Sequence, residues 1–119
     1  MNVAVLGASA NPERYSNQAV ALLKAKGHAV FPVHPAVTEL HGLKVYPSLA
    51  AIPAAVDTVT IYLAADKSSA LAADFRQARP KRVIFNPGAE NPALAASLAQ
   101  DGCRTLEACT LVMLQTGQF

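Results

Sequence analysis

The segment VLGASANPERYSNQ, residues 5–18, leads from an apolar run into a helical pattern through one glycine. The residues Met1–Leu6 are uncharged and include two β-branched valines, which predicts a buried strand that stops at Gly7. From Ser16 to Lys26, valine, leucine and alanine recur with helical spacing, so we expect a helix with Ser16 as N-cap and Gly27 as its C′ residue. A strand joined to a helix by a polar loop is the basic unit of α/β folds.

The same alternation continues along the chain. In the second predicted strand, Ala29–Val33, Pro32 cannot donate a ladder hydrogen bond and therefore indicates an edge position. A loop is predicted over His34–Leu43. The remaining predicted strands are Lys44–Tyr46, Asp57–Leu63, Arg82–Phe85 and Cys103–Leu106. The remaining predicted helical segments are Ser48–Ala51, Asp66 or Ser68 to about Ala78, Asn91–Gln100 with Asn91 as N-cap and Pro92 at its first position, and Leu111–Leu114.

Strands that alternate with helices in this way indicate right-handed βαβ units and a parallel sheet. No repeat, linker or low-complexity segment interrupts the pattern. We therefore predict an α/β fold with one three-layer, Rossmann-like domain over residues 1–119 and a mostly parallel sheet of about five strands.

The composition argues against several classes of protein. Of 119 residues, 52% are hydrophobic and 15% are charged, which is typical of a globular domain rather than a disordered chain. No apolar run approaches the ~20 residues that span a bilayer, and the N-terminus lacks the basic region of an export signal, so we expect a cytoplasmic protein with no membrane partner. The net charge of +2 does not favour nucleic acid. Cys103 and Cys109 lack metal-ligand spacing, and we expect packed thiols and no metal site.

A ligand of an open parallel sheet binds beyond the carboxyl ends of its strands. Four predicted loops meet there: Gly7–Ser16, Val33–Pro35, Leu63–Lys67 and Asn86–Glu90. In the first loop, Gly7 permits a close turn, two serine hydroxyls can donate, and Arg14 can pair with a phosphate. The loop therefore predicts a phosphate site, or more simply a capped connection whose arginine is solvated.

The standard NAD fingerprint is missing. It needs further glycines after the first and an acidic residue at the end of the second strand to hold the ribose. Here Ala8, Ser9 and Ala10 follow Gly7, and the second strand ends at His34-Pro35. NAD is therefore disfavoured, although an NAD(P)- or nucleotide-binding domain stays open as an alternative.

Other loop residues allow two interpretations each. His34 either contacts an adenosine group or only water, and Lys67 either meets a phosphate or is solvated. Asn86 either orients a ligand amide or satisfies its own turn. Gly88 permits a positive φ ahead of the next helix.

Several segments together resemble the small stand-alone CoA-binding domain proteins, which are relatives of the N-terminal domain of the succinyl-CoA synthetase alpha subunit. The segments are Gly7-Ala8-Ser9, Asn11–Ser16, Phe31–Pro35, Gly42 with Tyr46–Leu49, Phe85–Asn91 and Glu107–Leu114. The similarity extends over essentially the whole chain. It implies a Rossmann-type domain that binds coenzyme A in the cytoplasm.

The resemblance also implies which residues contact coenzyme A. The first loop would take the phosphates, the tip of the second strand would take the adenosine end, and the other two loops would flank the pantetheine arm. Here Ala64 and Ala65 replace basic residues of many relatives, and Ile84 and Asn86 replace a Trp and a Gln. The implied binding residues are Gly7, Ala8, Ser9, Pro12, Arg14, Ser16, Val33, His34, Pro35, Leu63, Ala64, Lys67, Asn86 and Gly88.

No catalytic motif accompanies these residues. The sequence has no nucleophile elbow, P-loop or metal motif, and its three histidines have no acidic partner at a diagnostic spacing. We expect a binding module for a small-molecule ligand without catalysis of its own. A thiol-dependent transferase that uses Cys109 is the other alternative left open, and a protein partner is not visible in the sequence.

Overall fold

Five parallel strands form the centre of the computed structural model, which describes residues 1–119. The strands of the structure are β1 (Asn2–Leu6), β2 (Ala29–Val33), β3 (Glu39–Leu40), β4 (Leu43–Lys44), β5 (Thr58–Ile61), β6 (Arg82–Phe85) and β7 (Arg104–Glu107). The order across the main sheet is β2-β1-β5-β6-β7, and β3 and β4 form a separate antiparallel hairpin. The helices are α1 (Tyr15–Ala25), α2 (Ala65–Ser69), α3 (Ala72–Ala78), α4 (Pro92–Gln100) and α5 (Thr110–Gln115), with a short 3₁₀ turn at Leu49–Ala51.

The sheet has a hydrophobic core on each face, because successive side chains of a strand point to opposite sides. Val3 and Val5 of β1 pack with Val20 and Leu23 of α1. Ala4 and Leu6 belong to the core on the other face, together with Phe75 of α3. Helices therefore cover both faces. This confirms the predicted three-layer, Rossmann-like α/β fold with a parallel sheet of five strands.

Most predicted elements lie within a residue or two of their observed positions. The bounds of β2 and β6 agree with the prediction, and β2 is an edge strand of the main sheet, as Pro32 indicated. The side-chain oxygen of Asn91 accepts a hydrogen bond from the Leu94 amide (3.1 Å), which confirms it as the N-cap of α4.

Ser16 is not the N-cap of α1, so that prediction is wrong. The helix begins at Tyr15, and the hydroxyl oxygen of Ser16 accepts a hydrogen bond from the Ser9 amide instead (3.1 Å). A serine at the start of a helix can satisfy either the helix or the preceding loop, and here it holds the loop. Gly27 follows α1 with a positive φ, as expected of its C′ residue.

The single helix predicted from Asp66 or Ser68 to Ala78 is broken into α2 and α3, with Leu71 outside helical geometry. Just ahead of the break, the side-chain amide of Asn91 lies within hydrogen-bond distance of the Ala65 carbonyl and of the hydroxyls of Ser68 and Ser69. The loop predicted over His34–Leu43 contains most of the β3–β4 hairpin instead. No helix is long and apolar enough to cross a bilayer.

Candidate ligand-binding cleft

The site lies where the strand order changes direction. From β1 the chain passes outward to β2 and then returns past β1 to β5. The loop after β1 leads to α1 on one face, whereas the segment after β5 leads to α2 and α3, and α3 packs on the opposite face. Loops that diverge in this way leave a crevice at the carboxyl ends of the strands.

The first part of this crevice, which we call the polar cleft, has a volume of about 530 Å³. It brings together the loop after β1, the tip of β2 and the segment after β5. Its lining residues are Gly7, Ala8, Ser9, Glu13, Arg14, Tyr15, Ser16, His34, Tyr62, Leu63, Ala64, Lys67 and Pro87.

Gly7 allows the first and third loops to touch. Its φ is +89°, and a Cβ atom at this position would lie 2.8 Å from Cδ2 of Leu63. The amides of Gly7 and Ala8 both donate to the carbonyl oxygen of Val33, each at 3.1 Å. These two amides therefore join the end of β1 to the end of β2 and are not free to bind a ligand.

The donors that remain free come from the start of α1. The amides of Tyr15, Ser16 and Asn17 have no hydrogen-bond acceptor within the chain. Free amides in the first turn of a helix carry partial positive charge and attract anions. Tyr15 and Ser16 line the polar cleft, so this end of the helix favours an anion there.

Two unpaired cations also line the polar cleft. Arg14 precedes α1 and Lys67 lies in α2, and neither forms an ion pair; the structure contains one, between Lys81 and Asp57. Glu13 is the one carboxylate in the lining. The charge of the cleft is therefore net positive.

His34 has a defined tautomer. Its Nδ1 atom accepts hydrogen bonds from the amides of Ala36 (3.0 Å) and Val37 (3.1 Å). Two donors at Nδ1 leave the ring proton on Nε2. His34 therefore offers an N–H donor to the crevice.

A second cleft, which we call the apolar cleft, continues the crevice and has a volume of about 480 Å³. It shares Gly7, His34, Leu63 and Lys67 with the polar cleft. Its other lining residues are Leu6, Val33, Pro35, Pro47, Ser48, Leu49, Ala70, Leu71 and Asp74. The crevice thus places a largely apolar region beside the positively charged polar cleft.

The structure brings eleven of the fourteen predicted binding residues to the crevice. In the polar cleft they are Gly7, Ala8, Ser9, Arg14, Ser16, His34, Leu63, Ala64 and Lys67, and in the apolar cleft Val33 and Pro35 are added. Pro12, Asn86 and Gly88 line neither cleft.

Asn86 is fully engaged inside the protein. Its amide donates to the Thr60 hydroxyl (2.7 Å) and the Ile61 carbonyl (2.9 Å), and its oxygen accepts from the Thr110 amide (2.9 Å). The Asn86 side chain therefore joins β5 to the start of α5. The partners lie in β5 and α5 and not in the turn that Asn86 begins, so the side chain does not satisfy its own turn.

Several lining residues were not predicted, among them Glu13, Tyr15, Tyr62 and Pro87. Glu13 and Tyr15 flank Arg14, so their place in the same loop was a usable signal. The apolar cleft draws Pro47, Ser48 and Leu49 from the segment after the hairpin. Their position depends on how that segment folds back, for which the sequence carried no local signal.

Residues 1–115 match the family model of the CoA binding domain. The chain belongs to this CoA-binding domain family. The resemblance drawn from the sequence segments is thereby confirmed.

Two solved structures and one curated relative are among the proteins similar to this chain. A crystal structure of an uncharacterized protein is 36% identical and superimposes with a TM-score of 0.93, over 99% of this chain and 97% of that one. The dinucleotide-forming acetyl-coenzyme A synthetase 1 of Ca. Korarchaeum cryptofilum, in complex with phosphate and ADP, is 30% identical with a TM-score of 0.75. That match covers 90% of this chain and 25% of the synthetase.

The uncharacterized protein YneT of Bacillus subtilis (strain 168) is 29% identical over 73 residues, which are 61% of this chain and 54% of YneT. The match thus spans about half the length of that curated relative. Neither the relative nor the first structure carries a functional name.

Two further titratable groups of this CoA-binding domain family member lie near the crevice or in the core. Burial raises the pKa of Tyr62 to about 12, and its hydroxyl is buried without a hydrogen-bond partner. Burial, together with the nearby Asp101 carboxylate, raises the pKa of the Cys103 thiol.

Cys109 immediately precedes α5 and lines neither cleft. No group of three or more potential ligands is arranged to hold a metal ion.

Proposed function

We propose that this chain binds coenzyme A, or an acyl-coenzyme A, in the crevice formed by the polar and apolar clefts. The observation that carries the proposal is the pairing of unpartnered cations and free helix amides with an adjoining apolar surface. Coenzyme A combines phosphates with an adenine ring and a long, weakly polar arm. Membership of the CoA-binding domain family supports the same ligand.

The phosphates are assigned to the polar cleft. Arg14 offers two parallel N–H groups and Lys67 a point charge, and hydrogen bonds to charged groups contribute about 1.5–3 kcal/mol each. The free amides at the start of α1 add about 0.3–1 kcal/mol through the helix dipole. Ser9 adds a hydroxyl donor, since its oxygen already accepts from the Asn11 amide.

The adenosine end is assigned to the apolar cleft. His34 lies at the border of the two clefts with its Nε2 proton available, and Pro35 and Leu71 supply apolar contact. The pantetheine arm then passes Leu63 and Ala64 toward Pro87, which is the one residue of the fourth loop that lines the polar cleft.

We propose that binding is the whole activity of the chain. His34 uses Nδ1 to hold its own loop, and His41 is hydrogen-bonded to Asn17. His28 packs against Phe119, with ring centres 5.3 Å apart. These contacts leave no histidine paired with a carboxylate. Incubation with acetyl-coenzyme A, with free thiol read by Ellman's reagent, tests this, and thiol release above the uncatalysed rate would contradict it.

A thermal-shift titration tests the ligand. A ligand at 100 times its Kd raises the free energy of unfolding by about 2.7 kcal/mol, so coenzyme A should raise the melting temperature in a concentration-dependent way. Arg14→Ala should raise the Kd for coenzyme A about tenfold or more, and so reduce the shift in melting temperature at a given concentration. Arg76→Ala is the matched control, because Arg76 is exposed and lies in a cleft away from the crevice.

NADH and NADPH serve as comparison ligands in the same titration. Tighter binding of either than of coenzyme A would favour the dinucleotide alternative. A melting temperature that does not change at millimolar coenzyme A would overturn the proposal.

A further inference from the structure

Asn17 connects the β3–β4 hairpin to the loop that follows β1. This side chain is buried in the first turn of α1 and uses both ends of its amide. Its Nδ2 donates to the carbonyl oxygen of Ser9 at 2.9 Å, and its Oδ1 lies 2.8 Å from Nε2 of His41. Because Oδ1 can only accept, Nε2 of His41 is the donor. Two consecutive hydrogen bonds thus run from the hairpin to Ser9.

The backbone of Ser9 is held on both sides by α1. Ser16 accepts from its amide at 3.1 Å, and Asn17 donates to its carbonyl. The Ser9 carbonyl can only accept, so it sets which end of the Asn17 amide faces it. The ring of His41 then holds the other end of that amide by donating to Oδ1.

His41 occupies a conformation that residues with a Cβ atom rarely adopt. Its φ is +50°, followed by Gly42 at +75°, which is the two-residue turn of a tight hairpin. Asparagine and glycine are the usual residues at its position. The hairpin tip is also tied to α1, because Nζ of Lys24 donates to the His41 carbonyl at 2.6 Å. Unlike glycine or asparagine, a histidine at this position has a ring that reaches Asn17.

We propose that His41 is a positioning residue for the polar cleft: by anchoring the Asn17 side chain it holds Ser9 and its hydroxyl in the geometry that binds the ligand anion. His41 lines neither cleft, so its proposed effect on the ligand is indirect. The inference rests on the proposed function for the identity of the ligand, and on the ligand-free geometry for the link between His41 and Ser9.

Two substitutions of His41 separate the effect of its hydrogen bond to Asn17 from the effect of its left-handed backbone conformation. His41→Asn suits the left-handed turn but is too short to reach Asn17, whereas His41→Gln has nearly the reach of the imidazole and keeps an N–H donor. We expect His41→Asn to weaken coenzyme A binding about 2- to 10-fold in isothermal titration calorimetry. We expect His41→Gln to restore most of the affinity. Thr38→Ala, an exposed change on the segment that leads into the hairpin, is the matched control.

A measurement without ligand keeps this proposal separate from the proposed function. In ¹⁵N–¹H spectra, His41→Asn should shift the amide nitrogen of Ala10, whose peptide group contains the Ser9 carbonyl, and His41→Gln should leave it near the wild-type position. If the wild type does not bind coenzyme A, the proposed function fails while these spectra still test the link. The proposal is overturned if His41→Asn leaves both the affinity and the Ala10 resonance unchanged, or if Asn and Gln weaken binding equally.

Discussion

Gly7 and Leu63 approach so closely that a Cβ atom on Gly7 would lie 2.8 Å from Cδ2 of Leu63. This contact joins the loop after β1 to the segment after β5, the two sides of the crevice. It makes the glycine a requirement of both the backbone and the packing.

Replacing Gly7 by alanine should therefore lower the free energy of unfolding by about 1–3 kcal/mol or more, since the positive φ and the clash add. Urea denaturation measures the change. In the Leu63→Ala background the same substitution should cost less, because the clash disappears while the strain of φ remains. Equal costs in the two backgrounds would show that Leu63 does not impose the requirement.

Asn86 should matter for stability and not for ligand affinity. Asn86→Ala leaves the buried Thr110 amide without its partner, which costs about 1–3 kcal/mol, whereas the Thr60 hydroxyl keeps its hydrogen bond to the Thr110 hydroxyl (2.8 Å). Urea denaturation should show a clear loss of stability, and calorimetry on the folded variant an unchanged Kd for coenzyme A. A Kd that rises tenfold with little loss of stability would instead place Asn86 in the binding site.

Glu13 is the one carboxylate among the residues of the polar cleft, and it should oppose a bound anion. Glu13→Gln should tighten coenzyme A binding by about 2- to 5-fold at low salt, with the difference shrinking as salt screens the charges. Calorimetry at two ionic strengths measures both effects. Glu90→Gln, which removes a carboxylate outside the two clefts, should leave the affinity unchanged.

Asp57 should contribute a pH-dependent part of the stability at the opposite end of the sheet. The hydrogen bond from the backbone amide of Asn2 (2.9 Å) lowers the pKa of this carboxyl below its usual 3.8, and the positive charge of Lys81 lowers it further. A lowered folded-state pKa stabilises the protein fully above the unfolded-state value, and the contribution is lost as the pH falls through the folded-state value. The free energy of unfolding, measured by urea denaturation, should therefore fall less steeply from about pH 5 to about pH 3 in Asp57→Asn than in the wild type. An identical slope would contradict the assignment.

The sequence predicted those features that local patterns determine. The strands at Ala29–Val33 and Arg82–Phe85 are short apolar runs, and the N-cap at Asn91 needs only the residues beside it. The same holds for the first loop of the crevice, since a strand end, a glycine and a helix start follow one another directly.

The features that the sequence did not predict depend on contacts between distant residues. Asn91 hydrogen-bonds to Ser68 near the end of α2, more than twenty residues away in the sequence. Ser16 contacts Ser9 rather than capping its helix, and Asn17 meets His41 across the hairpin. An asparagine or serine accepts and donates in many settings, so its type does not say which partner the fold will supply.

Because the carbonyl of Val33 accepts from the amides of both Gly7 and Ala8, these two amides hold the end of β1 to the end of β2. In a glycine-rich dinucleotide turn, the first amides after the strand face the pyrophosphate, so closing the sheet and recognising the ligand depend on the same few residues. Here the first two amides close the sheet, and the proposed ligand contacts begin at Ser9. If the chain binds as proposed, substitutions beyond Ala8 can change ligand preference while the pairing of β1 with β2 stays intact.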